Sequence, residues 1–154
     1  MSMEEAQPDV VELTARLCEV FEGFYPRPYL CPAGIPSIGF GFTRYPDGRA
    51  VTLTDKPMER GHAKLMLRWF IRNRYLPETV KTVPNRLENG RLAAICDFCF
   101  NLGAGNLRAS TLRKRIMAER WADVPIELRK WVRGGGRVLP GLVKRRNAEA
   151  LYFE

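Results

Sequence analysis

One histidine, His62, and four cysteines are all that 154 residues offer in soft ligands and ready nucleophiles. That shortage excludes several chemistries. A zinc centre needs about four ligands of the right type, whereas Cys96 and Cys99 form a lone Cys-x-x-Cys inside an apolar helical pattern, with no second pair and no histidine nearby. No metal and no other cofactor is expected. A cysteine–histidine hydrolase would have to bring Cys31 and His62 together, and nothing in the sequence does so. No apolar run approaches the roughly 18 residues of a membrane span. The acidic stretch Met1 to Asp9 lacks the basic-then-apolar pattern of a signal peptide. The expectation is a chain made and folded in the cytoplasm, where disulfides are disfavoured. There is no internal repeat, low-complexity tract or linker, and the length suits a single domain over residues 1–154.

What the chain has in excess is positive charge: 25 Lys and Arg against 17 Asp and Glu give +8. The surplus gathers in Arg108 to Lys114, Arg129 to Arg137 and Lys144 to Arg146. Such clusters suit anionic polymers or lipid surfaces, or simply solvate helix faces. No nucleic-acid recognition motif accompanies them, so nucleic acid is not an expected partner.

The chain is organised around the stretch from Glu22 to Thr43. Asp9 and Glu12 make a capping-box pattern, and Val10, Leu13, Leu17, Val20 and Phe21 then recur at helical spacing. Gly23 ends this helix, and Pro26 and Pro28 prevent its resumption. The helix therefore stops at an acid, Glu22. A helix C-terminus disfavours a carboxylate, and Phe21, Phe24 and Tyr25 can strip water from it. Both effects favour the protonated form a general acid needs.

Short extended runs follow. Tyr29 to Cys31 and Ser37 to Phe40 flank a Pro32-Ala33-Gly34 turn, and Ala50 to Leu53 follows an Asp47-Gly48 turn, which predicts a three-stranded lobe. Gly39 and Gly41 either leave backbone open to a close-approaching ligand or permit tight turns. Helices are then expected over about Asp55–Leu76, with Leu65, Trp69 and Leu76 on one face widened by Met66, Phe70 and Tyr75, and over about Leu87 or Gly90 to Leu102. The latter is almost free of charge beyond Asp97 and reads as the central core helix. Three more helices are expected over about Arg108–Glu119, Asp123–Val132 and Pro140–Phe153, with a flexible break at Gly134-Gly135-Gly136. The last sets Leu142, Val143, Leu151 and Tyr152 against Lys144, Arg145, Arg146 and Glu149. It is amphipathic and basic, with packing on the helical body or weak contact with an anionic membrane as its possible uses.

Glu22, Cys31 and Ser37 stand at the spacing of a motif: Glu, eight residues, Asp or Cys, five residues, Thr. The run Ile38-Gly39-Phe40-Gly41-Phe42-Thr43 follows, with Phe42 where the motif has His and Ser37 where it has Thr. Phe98 to Gly103, Ser110 to Lys114, and Trp131 to Arg146 add further matches in order. On these residues the chain resembles the phage-type lysozymes, endolysins of glycoside hydrolase family 24, over about Val10 to Phe153.

The resemblance implies an α+β, lysozyme-like fold: a small β-hairpin lobe, about residues 28–54, set against a mainly helical body across a cleft. It implies hydrolysis of the β-1,4 bond between N-acetylmuramic acid and N-acetylglucosamine in peptidoglycan. Glu22 would protonate the leaving oxygen, while Cys31 and Ser37 position a water on the opposite face of the sugar, giving inversion. It further implies a monomer working on glycan strands of the bacterial wall after release from the host cytoplasm through a holin pore. Phe100 and Asn101 fall where the family lines its cleft; each has a second reading, as a core aromatic and a capping amide. A free thiol near pKa 8.5 is mostly neutral at pH 7, so Cys31 acts as a lowered thiolate, as a weak acceptor, or only as packing. Use of Glu22 alone would instead make a lytic transglycosylase, and a silent site would leave a basic peptidoglycan-binding module.

Overall fold

The structure, a computed structural model, describes residues 9–154. The acidic stretch from Met1 to Pro8, part of the signal-peptide reading, lies outside the described residues.

Helix α1 (Val10–Glu22) starts at Asp9, whose carboxylate accepts from the Glu12 amide at 2.8 Å, and stops at Gly23, where φ is +70°. Its buried face is Val11, Thr14, Ala15 and Cys18, one position round from the expected stripe, and Val20 is 74% exposed. Small side chains let α1 lie close against α4 (Asn89–Leu102). Thr14 tolerates burial because its hydroxyl donates to the Val10 carbonyl at 2.7 Å. Helix α4 is buried without a break from Ala93 to Cys99 and is the central helix the sequence predicts.

Between these helices lies the lobe. Strand β1 (Tyr25–Leu30) pairs antiparallel with β2 (Pro36–Gly39), with Tyr29 opposite Ser37 and Tyr25 opposite Gly39. The ladder is irregular between Tyr25 and Tyr29, where Pro26 and Pro28 have no N–H to give. The expected third strand over Ala50–Leu53 does not form. Ala50 makes only an isolated bridge with Arg44, because Asp55 captures the Thr52 amide at 3.0 Å and the Thr52 and Tyr45 hydroxyls at 2.7 Å. That side-chain turn competes with the ladder. It also delays the next helix, α2 (Arg60–Phe70), which begins five residues after Asp55.

Helix α2 presents Ala63, Met66, Leu67 and Phe70 to the core. The expected leading face is turned outward: Leu65 is 70% and Trp69 39% exposed. Pro77 does not end the helix either. The chain passes through a π-helical turn, Ile71–Tyr75, into α3 (Leu76–Thr82), with Pro77 in its first turn. The wider turn carries the backbone past a residue with no amide hydrogen.

The remaining body consists of α5 (Ala104–Arg108), α6 (Thr111–Met117), α7 (Val124–Leu128) and α8 (Pro140–Ala150). The triple-glycine break is a hairpin, β3 (Arg133–Gly134) against β4 (Arg137–Val138), with φ of +58° and +79° at Gly135 and Gly136 supplying the left-handed turn. Helix α8 packs on the helical body, as one of its expected uses has it, but with Arg145, Arg146 and Glu149 turned inward, while Lys144 stays exposed and Leu142 and Val143 are half-buried. Arg145, Arg146 and Glu149 are 3%, 0% and 0% exposed, whereas Leu151 and Tyr152 just beyond are 65% and 38% exposed. Two of the three basic residues expected to meet solvent or membrane are thus turned into the body, where Asp97 and Glu22 meet Arg145 and Glu149 meets Arg146.

Gly39 joins the lobe to the core. Its φ is +66°, and a Cβ there would stand 2.9 Å from the Phe42 ring. Gly34 has φ of +76° but no neighbour within 4 Å of such a Cβ. Gly39→Ala is expected to lose about 1–3 kcal/mol from backbone strain alone, with the ring clash adding to it, and Gly34→Ala to lose less. Equal midpoints in urea denaturation of the two variants would contradict this account.

Candidate active site

Glu22 ends α1 at the wall of a cavity of about 230 Å³. The lobe contributes Gly41, Phe42, Thr43 and Arg44; the α2–π segment contributes Phe70, Arg74 and Tyr75; α4 contributes Phe100 and Asn101. A second hollow of about 520 Å³ shares Glu22 and Asn101 and is otherwise lined by Val20, Phe21, Leu139, Gly141, Leu142 and Arg145. The two hollows thus share the Glu22 carboxylate as part of their walls. The first offers aromatic faces and guanidinium groups, the second mainly aliphatic walls.

The carboxylate is held from beneath. Arg145 Nη1 donates to Glu22 Oε1 at 2.6 Å. Arg145 is fixed in turn by Asp97, with Nε to Oδ2 at 2.9 Å and Nη2 to Oδ1 at 2.8 Å. Cys18 Sγ donates to Asp97 Oδ1 at 3.3 Å. Burial opposes the charge on Asp97, but hydrogen bonds and charge from Arg145 override it, so its carboxyl sits below the ordinary 3.8. Burial likewise opposes the charge on Arg145, and Asp97 more than restores it. The neighbouring thiol of Cys18 is driven well above 9.0, by burial first and by the Asp97 charge second.

A parallel arrangement supports Asn101. Arg146 Nη2 donates to Asn101 Oδ1 and to Glu149 Oε2, both at 2.9 Å. Arg146 Nε also approaches Glu149 Oε1 at 2.8 Å, though not along a hydrogen-bonding direction. With Oδ1 engaged, Asn101 is left its amide N–H groups to offer across the cavity wall.

Among the predicted site residues, Glu22, Gly41, Phe100 and Asn101 line one cavity. Gly41 lies against the acid: a Cβ on it would be 3.4 Å from Glu22 Oε2. Phe100 is half-buried, its ring 4.7 Å from that of Tyr75. Gly39 is buried outside the cavity lining, against Phe42 and Met58. Phe42 is 5% exposed and packs on Phe70 at 5.3 Å between ring centres.

Cys31 and Ser37 come together in the hairpin, outside the lining of the Glu22 cavity. The thiol is lowered from 9.0, first by the Ile35 amide and then, against some burial, by Ala33 and the Ser37 hydroxyl. Ser37 is buried, with Oγ donating to the Ile35 carbonyl at 3.1 Å. Burial raises the Tyr29 hydroxyl, and charge on Tyr25, Glu22 and Cys31 raises it further.

Arg145, Arg74 and Arg44 carry no motif or spacing in the sequence that marks them as site residues. One signal was available for Arg145. Asp97 is a lone carboxylate in an otherwise uncharged central helix, and a buried acid demands a cation. Among the described residues, no three His, Cys, Asp or Glu side chains cluster as metal ligands would.

Solved structures share this architecture. The endolysin from Escherichia coli O157:H7 phage FAHEc1 superposes with a TM-score of 0.82 at 22% identity, over 96% of this chain and 94% of that one. The muramidase domain of SpmX from Asticaccaulis excentricus gives 0.77 at 23% identity, over 91% and 93%. The fold class is thus lysozyme-like, α+β. Sequence narrows it further: an endolysin of Acyrthosiphon pisum secondary endosymbiont phage 1 is 33% identical over 144 residues, covering 90% of this chain and 92% of that one. The phage lysozyme family model matches residues 19–149, and the chain belongs to that family. It is a peptidoglycan-hydrolysing enzyme that acts on the cell wall.

Two outcomes follow from the electrostatics. Asp97→Ala strands the buried Arg145 charge and is expected to cost about 3–5 kcal/mol, read from denaturant unfolding; a loss below 1 kcal/mol would mean the pair carries no stability. In the folded protein, Cys31 alkylation by iodoacetamide should rise with pH to a midpoint below that of the same thiol in urea-unfolded protein, since thiolate is the reactive form and this thiol is lowered. Cys18, Cys96 and Cys99, all buried and raised, should stay unmodified by mass spectrometry. A Cys31 midpoint in the folded protein at or above that of the unfolded chain would contradict the assignment.

Proposed function

We propose that this enzyme is a muramidase that cleaves the β-1,4 bond between N-acetylmuramic acid and N-acetylglucosamine with inversion. The observation that carries this reading is the placement of Glu22. One oxygen is held by Arg145 at 2.6 Å, the other stands beside Gly41, and the side chain lies at the wall common to two hollows. A glycan strand laid through both hollows brings a glycosidic oxygen to that acid. Because Oε1 is engaged by Arg145, Oε2 is the oxygen that delivers the proton.

Cys31 and Ser37 supply the other half of the reaction from the lobe. The sulfur, made more anionic by the Ile35 amide, takes the proton of a water whose oxygen attacks the anomeric carbon opposite the leaving oxygen, as Glu22 gives its proton to that leaving oxygen. Room for such a water between the two groups is what separates inversion from retention. Phe100 gives a stacking face and Asn101 an amide donor for an N-acetyl carbonyl or a hydroxyl. The enzyme works as a single domain and reaches the wall from the host cytoplasm after a holin opens the membrane.

The test is digestion of purified peptidoglycan with mass spectrometry of the fragments. The wild type should release reducing muramic acid ends, and Glu22→Gln should be slower by at least about 100-fold, the lower range for loss of a general acid. Wild-type rates in that variant would remove Glu22 from the mechanism. Anhydromuramic ends would mean ring closure by the muramyl 6-hydroxyl and no role for a water at Cys31 and Ser37. Cys31→Asp should retain activity and Cys31→Ala lose most of it; normal cleavage by Cys31→Ala would reduce Cys31 to packing.

A further inference from the structure

The cavity beside Glu22 holds more positive charge than its acid requires. Among the described residues Glu22 is the only carboxylate in its lining, and Arg145 already meets it at 2.6 Å from below. Yet Arg44 and Arg74 also line the cavity, one from the lobe and one from the π-helical turn. Neither is consumed by a strong internal pair. Arg44 is exposed, and its Nη1 donates to the Gly48 carbonyl at 2.9 Å. Arg74 Nε is 3.7 Å from Glu78 Oε1, beyond hydrogen-bond length, with both side chains about half exposed. The Arg74 guanidinium lies 5.1 Å from the centre of the Tyr75 ring, which props it at the cavity wall.

The sugar rings and N-acetyl groups of a glycan strand are neutral. Phe100, Tyr75 and Asn101 suffice for them, by stacking and amide hydrogen bonds. A guanidinium matches a carboxylate, which it can grip with two parallel N–H donors. In the polymer this enzyme hydrolyses, carboxylates are carried on the lactyl substituent of muramic acid or on the peptide stem attached through it. We propose that Arg44 and Arg74 form a two-walled clamp for a carboxylate borne by the muramyl substituent, so that the cleft selects acidic, substituted strands over neutral glycan. The clamp rests on the muramidase reading of the same cleft and gives it a substrate preference. Because one arm is on the lobe and the other on the helical body, an anion between them also ties the two walls together around the strand.

The test reads binding, so that it stands apart from catalysis. Glu22→Gln protein, checked for native circular dichroism, is titrated calorimetrically with three soluble probes. These are a disaccharide–peptide with free stem carboxylates, the same fragment with every carboxyl methyl-esterified, and the stem-free disaccharide with only its lactyl carboxylate. The acidic peptide fragment should bind about tenfold more tightly than its ester. That ratio should fall to about twofold or less when Arg44→Gln and Arg74→Gln are added. Arg120→Gln, an equal loss of charge outside the cavity lining, should keep it. Tight binding of the stem-free probe assigns the lactyl carboxylate as the ligand; weak binding of that probe assigns the stem. Equal affinity for acid and ester, absence of binding by all three probes, or an undiminished ratio in the double variant would overturn the clamp. Continued cleavage by Glu22→Gln would instead overturn the catalytic reading and leave the affinity ratio to be judged by itself.

Discussion

Arg145 is the side chain on which the architecture converges. It is buried, it binds Asp97 through two hydrogen bonds, and it extends its third nitrogen to Glu22. One guanidinium thereby fastens three helices, α1, α4 and α8, at the point where the cleft acid must stand. A charge this deeply buried persists only when its partners are complete. Each helix consequently restrains the others: α4 brings the anchoring acid, α1 the acid at the cleft, and α8 the cation. Cys18 adds a weak donor to Asp97 from the underside of α1. Arg146 does for Asn101 what Arg145 does for Glu22, so consecutive residues of α8 support consecutive features of the groove.

Above this base the lobe needs little regular structure. Two short strands, a bridge between Ile38 and Phe42, and the Asp55 turn are enough to hold it. Its attachment is an aromatic one, with Phe42 against Phe40 and Phe70 and Phe24 near Phe40. A phenyl ring at position 42 buries apolar surface between lobe and α2, where a polar ring would need a partner. The π turn performs a related task on the other wall. It carries the helix past Pro77 and sets Arg74 and Tyr75 at the cleft.

Much of this organisation is legible in the sequence, and the parts that are not have physical reasons. The cap at Asp9, the stop at Gly23, the hairpin about Gly34 and the apolar run of α4 are local signals, and local structure follows them. The faces of α1 and α2 are misread by one position because hydrophobic spacing weights large side chains. Close helix packing instead selects Ala15 and Cys18 and leaves Val20 and Leu65 outside. Helix α8 is misread more deeply: Arg145, Arg146 and Glu149 look like a solvated face, and only tertiary partners reveal them as core. At the cleft, Glu22, Gly41, Phe100 and Asn101 stand at ends of elements that the sequence marks by glycine. The arginines that surround them arrive from distant segments and carry no local mark.

The inward turn of α8 sets an order on biosynthesis. A ribosome delivers α1 and α4 long before position 145, and chains gather structure from the N-terminus as they emerge. Until α8 is extruded, Asp97 has no countercharge and Glu22 no brace, so the nascent body carries an uncompensated acid at its centre. Docking of the last helix supplies both the countercharge to Asp97 and the brace to Glu22. A ribosome-bound chain that stops short of Arg145 therefore holds every residue of the lobe and still lacks the brace that fixes Glu22 at the cleft.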